Sequence, residues 1–96
     1  MNAEEFMRDH AMKASSGRIP EILGDLTPQA MAQLPGVMAG GPNPPTGFEV
    51  QPIRAEGESF IFDVTYTGDG DARVTMRETV QQQDGTWKIV HLEKPA

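Results

Sequence analysis

The chain has 96 residues, enough for one domain whose folding buries only about 60–65 % of the unfolded surface. Fourteen Asp and Glu against eight scattered Lys and Arg give a net charge of −6, which argues against a nucleic-acid interface and against docking on an anionic membrane. The absence of cysteine excludes disulfides, thiolate metal sites and thiol chemistry.

The opening "MNAEEFMRDH" is acidic and has no apolar run of the kind a secretion signal needs, and no later run is long enough to span a bilayer. A cytoplasmic protein without cofactor or metal is the expectation. In "NAEEFMRDHAMKASSG", Ala3, Phe6, Met7, His10, Ala11 and Ala14 recur on one helical face. Asn2 suits the N-cap, Glu4 and Glu5 suit the positive end of the dipole, and Gly17 suits the stop. "RIPEILGDL" predicts a short helix with Pro20 in its first turn. "TPQAMAQLPG" predicts a third, capped by Thr27, opened by Pro28 and ended at Pro35–Gly36. Residues 1–35 are thus expected to be helical. Residues 36–47, rich in Gly and Pro, are expected to form a loop that serves as a linker or a lid.

From position 48 to 96 the apolar residues alternate, predicting four strands near 48–55, 59–67, 73–82 and 87–93 joined by short turns as an antiparallel meander. Pro52 marks the first strand as an edge or a bulge, because it cannot donate to a ladder. A loop of Asp69, Gly70 and Asp71 pairs Tyr66 with Val74, Val64 with Met76 and Phe62 with Glu78. A two-residue turn at Asp84–Gly85 pairs Gln82 with Trp87, Val80 with Ile89 and Glu78 with His91. One face then carries Phe60, Phe62, Val64, Tyr66, Val74, Met76, Val80, Trp87 and Ile89, with Glu78 and His91 together in its middle. The opposite face mixes polar residues with Ile61, Val90 and Leu92, a composition suited to a homodimer interface.

Helices followed by a meander whose last hairpin reads "DGTWKIVHLE" resemble the nuclear transport factor 2-like superfamily, in the style of its small polyketide-cyclase and ketosteroid-isomerase-like members. The carrying residues are Asp84, Gly85, Trp87, Lys88, Ile89, Leu92 and Glu93, and the likeness runs over nearly the whole chain. It implies an α+β fold in which short N-terminal helices pack on the concave face of a curved four-stranded sheet, as a cone with a pocket at its open end. Dimers through the sheet are implied as well. The tyrosine that isomerase members carry on the first helix has no counterpart here, so no catalytic residue is carried over.

Two functions are open at this point. One is a small dimeric binding or accessory protein that takes a small apolar ligand in a pocket lined by His10, Phe62, Tyr66, Met76 and Trp87. The other is an isomerase, dehydratase or cyclase using Glu78 and His91 as a general acid–base pair. The plainer reading of the same pair is a cross-strand ion pair at the rim, and that of His10 is a partly buried histidine bonded to backbone. "GDGDAR" lacks the remaining ligands of a calcium loop and reads as a turn.

Overall fold

The structure is a computed structural model that describes residues 1–42 and 45–95. Three helices, α1 (Ala3–Ser15), α2 (Ile19–Gly24) and α3 (Pro28–Met38), precede four strands, β1 (Gly47–Glu56), β2 (Ser59–Thr67), β3 (Arg73–Gln83) and β4 (Thr86–Glu93). The strands form one antiparallel sheet in the order β1-β2-β3-β4 and the helices pack on it, an α+β fold as expected. No helix among the described residues is long and apolar enough to cross a membrane.

The local signals act as read. Asn2 caps α1 in a full capping box with Glu5, and Gly17 follows the helix at a φ of 74° that a side chain would resist. Thr27 Oγ1 accepts from the Ala30 amide at the start of α3. The β3–β4 turn has Asp84 at φ 53° and Gly85 at φ 80°, the paired positive angles of a type I′ turn. The β2–β3 register matches the expectation at Tyr66–Val74, Val64–Met76 and Phe62–Glu78. β1 is bulged between Pro52 and Arg54.

Pro35 does not end α3. The helix continues to Met38 with Pro35 inside it, because the last turn buries Val37 and sets Leu34 and Met38 against the core. That apolar burial outweighs the lost hydrogen bond and the ring's clash with the carbonyl four residues back. The loop expected over 36–47 shortens accordingly, and Asn43, Pro44 and the terminal Ala96 lie outside the described residues. On either side of the turn that follows α3 the packing is close: a Cβ on Gly41 would sit 2.7 Å from Val74 Cγ1, and one on Gly68 would sit 2.5 Å from Pro42.

The largest departure lies in β4. Val80 pairs with Ile89 as expected, but Thr79 then pairs with His91 and Glu78 with Leu92, leaving Val90 as an extra residue in a bulge. Strict alternation would have turned Ile89 and His91 toward the helices and Leu92 outward. The bulge turns both Ile89 and Leu92 inward, where each is buried. Burying a leucine in place of a polar imidazole is worth about 1.5–3 kcal/mol, enough to favour one irregular step in the ladder. Glu78 and His91 are therefore not partners, and Leu92 belongs to the core and not to the outer face.

The bulge also fits the way the edge of β4 is covered. The Ile89 amide donates to the Asp25 carbonyl at 2.8 Å and the Thr27 amide donates to the Ile89 carbonyl at 3.0 Å, so the α2–α3 connection runs beside β4 as a short parallel bridge. Further along, Gln33 of α3 accepts from the Leu92 amide at 2.7 Å and its side-chain amide lies 3.1 Å from His91 Nδ1. One edge of the sheet is sealed by backbone and by a single glutamine.

Candidate functional site

The helix periodicity of α1 brings Phe6, Met7, His10 and Ala11 onto the sheet, all buried. The two-residue period of β3 places Met76, Glu78 and Val80 on the same side, and β2 adds Phe62, Val64 and Tyr66. His10, Tyr66 and Glu78 thus meet between the two layers because three independent periodicities point there.

Asp25 completes the group. It follows α2 directly, and its carbonyl's bond to Ile89 holds it against α1. His10 Nδ1 lies 2.8 Å from Asp25 Oδ2, and Lys13 Nζ lies 2.8 Å from the same oxygen. Burial would raise the Asp25 carboxyl, but the hydrogen bonds and charges of His10 and Lys13 outweigh it and hold the group below its ordinary value. Burial pushes Lys13 the other way, and its contacts with Asp25 and Asp9 leave it raised. An ionised Asp25 only accepts, so His10 presents Nδ1–H to it, and in the neutral ring Nε2 is left with a free lone pair. Phe6 stacks on the imidazole with ring centroids 6.5 Å apart.

Glu78 is 1 % exposed, and its Oε2 has no hydrogen-bond partner. Burial raises its carboxyl from an ordinary 4.5 to about 7, with the charge of His10 opposing the rise. Tyr66 is raised well above its ordinary value by its own burial and then by the charge on Glu78, so its hydroxyl stays protonated and able to donate. A carboxyl poised near neutrality, an imidazole oriented by an aspartate and a protonated phenol lie within one electrostatic neighbourhood.

Next to them is a cavity of about 70 Å³, with His10, Tyr66 and Met76 on its sheet-and-α1 side and Ala14, Ile22, Leu26, Leu34, Met38 and Pro45 among the rest of its lining. Nearly all of that lining is apolar; His10 and Tyr66 are the polar exceptions. Of the five residues expected to line a pocket, His10, Tyr66 and Met76 do so. Phe62 is buried in the core and Trp87 is only half-buried at the rim, and both line a separate surface groove. Trp87 lies there because the helical layer ends at that corner, where its indole N–H donates to the Met1 carbonyl at 2.9 Å.

His91 lies outside this site. Its side chain is 39 % exposed, next to Gln33 and Gln29 on α3 and 3.8 Å from Glu93. Among the described residues, no three His, Asp or Glu side chains are arranged to hold a metal ion. Asp25 and Lys13 were not singled out in the sequence. The one available signal was that His10 and Lys13 stand three apart, so they share a flank of α1 that any nearby carboxylate could bridge. No protein-family model matches the chain, and comparison with curated proteins and with solved structures likewise found no match.

Proposed function

We propose that the protein binds a small, mostly apolar molecule carrying one oxygen function, which sits in the cavity with its polar end at His10 and Tyr66. The observation that carries this reading is the lining itself: an apolar pocket closed at one end by an imidazole and a phenol. At about 70 Å³ the cavity is far below the roughly 300–1,000 Å³ of pockets that take drug-sized molecules, so the occupant is small. The order of helices and meander supports kinship with the nuclear transport factor 2-like superfamily, where such pockets would be expected. A homodimer through the outer sheet face would rest on Val90, since Ile61 is only 6 % exposed within the single chain and Leu92 faces the helices.

A test uses cyclohexanol and cyclohexanone as probes. Each should raise the melting temperature and perturb the His10 and Tyr66 ring resonances in the wild type, and neither should do so in Ala14→Phe, where the cavity is filled. Failure of both probes to give a saturable effect at millimolar concentration would remove the binding reading.

A second reading, proton transfer of the isomerase, dehydratase or cyclase kind, is favoured by one specific observation. Asp25 fixes the His10 tautomer at 2.8 Å, the arrangement that prepares Nε2 as a base, with Glu78 as a nearby buried carboxyl raised to about 7. The acid–base pair in this reading is Glu78 with His10, in place of Glu78 with His91. Turnover of any substrate should then be lost in His10→Gln while cyclohexanol, still met by Tyr66, binds with only modestly reduced affinity. Unchanged turnover in that variant would exclude the role.

A further inference from the structure

At the corner of the sheet farthest from the cavity, Phe60 of β2 is 36 % exposed and stands against the half-buried Trp87 of β4, edge to face with ring centroids 5.8 Å apart. Each aromatic lines two surface grooves, one of about 310 Å³ and one of about 380 Å³. The first has Pro52 and Phe62 as apolar wall and Glu4 at its rim, and the second has Glu58 at its rim. Among the described residues no lysine, arginine or histidine lines either groove. Glu4 already pairs with Arg8 at 3.0 Å, whereas Glu58 has no ion pair among the described residues. The electrostatic character of this corner is therefore set by an uncompensated carboxylate beside the exposed Phe60 and the half-buried Trp87, on a chain of net charge −6.

We propose that this corner docks a basic segment of a partner protein, an arginine side chain lying against Trp87 and Phe60 with its guanidinium at Glu58. Aromatic faces attract cations through the ring quadrupole, and a planar guanidinium stacks where an ammonium only points. The carboxylate adds a bidentate acceptor. The two grooves together exceed what one cationic head group fills, and their apolar side at Pro52 and Phe62 suits an aliphatic residue flanking the arginine. The receiving surface is already ordered: the indole is tied to the Met1 carbonyl and Phe60 stands on a central strand, so little freedom is lost on docking.

Trp87 is the single tryptophan, so its emission reports on this corner directly. The full chain is titrated with the acetylated, amidated peptide Ala-Leu-Arg-Leu-Arg-Ala and with its counterpart in which glutamine replaces both arginines. A saturable change with the arginine peptide is expected, with affinity roughly threefold to tenfold weaker for the glutamine peptide, and for Glu58→Gln with the arginine peptide. Phe60→Ala should weaken binding by a similar factor, while Glu21→Gln on α2 should leave it unchanged. Glu58 is an exposed turn residue, so its substitution leaves the fold intact to be read. Four results would each overturn the proposal: no saturable change at millimolar peptide, equal affinity for both peptides, indifference to Glu58→Gln, or arginine amide alone binding as tightly as the peptide. An emission change on concentrating the protein without peptide would assign the corner to a second copy and overturn it as well.

Discussion

Glu78 is a carboxylate buried without a partner for Oε2, and its pH behaviour follows from that. Its folded-state value of about 7 lies above the ordinary 4.5, so the folded chain holds this proton more tightly than the unfolded chain does. Below pH 4.5 both states are protonated and the group is without penalty. As pH rises from 4.5 to about 7 the unfolded chain gives up this proton while the folded chain keeps it, and stability falls by about 3 kcal/mol at about 1.4 kcal/mol per unit of displacement, levelling off once the buried charge forms. Asp25 has the opposite sign: its contribution is present above its ordinary 3.8 and is lost as pH falls below it. Wild type should therefore lose melting temperature between about pH 4.5 and 7, and Glu78→Gln should flatten that slope and be the more stable protein at pH 8. Parallel slopes in the two proteins would mean that Glu78 is not the titrating group. At this scale the sequence was informative about burial and silent about partners. The alternation of β3 placed Glu78 inside, and the face of α1 placed His10 inside. That Asp25 would meet His10 depends on a backbone bond between the α2–α3 connection and Ile89, which no local pattern encodes.

Among the elements, the helices and turns were legible because each carries its own chemistry: Asn2 with Glu5, Thr27 with Pro28, Asp84 with Gly85. The misread elements are those in which tertiary burial overrode a local rule. Pro35 is carried inside α3 by the burial of Val37, and β4 breaks alternation so that Ile89 and Leu92 both face the helices. One extra residue in β4 moved the expected Glu78 partner from His91 to Leu92, which shows how much a site assignment can hang on strict two-residue periodicity. The element that holds this irregular strand in place is α3, through Gln33. In Gln33→Ala the Leu92 amide loses its acceptor, and the cost should be about 1–3 kcal/mol in urea unfolding. Hydrogen exchange at the Leu92 amide should accelerate together with that loss. An unchanged exchange rate would show that the glutamine is ornamental to the edge.

For the molecule as a whole, the helical layer covers one end of the sheet well and the other end thinly. The cavity lies under the covered part, and the Phe60–Trp87 corner lies where cover ends. Hydrophobic patterning alone treated all nine inward positions of the sheet as equal core, because alternation reports a side and not a distance along it. Trp87 tests the difference. Full burial would make Trp87→Ala cost about 3–5 kcal/mol. Half-buried at the rim, it should cost about 1–2 kcal/mol, and its native emission should fall between that of an interior and a hydrated indole. A loss at the full-burial figure would mean that the corner is closed in solution.

The edges of the sheet are unequal, and the inequality limits how copies of this chain can join. β4 is occupied along its outer side by the Asp25–Thr27 backbone and by Gln33, which leaves β1, with Pro52 and its bulge, as the edge strand that no backbone covers among the described residues. Strand pairing between two molecules through β1 uses up the same resource on both and generates a closed two-fold pair. A third molecule would find nothing to add to. Polymerisation along the sheet requires two available ends per subunit, and a chain with one can terminate a fibre but cannot extend it.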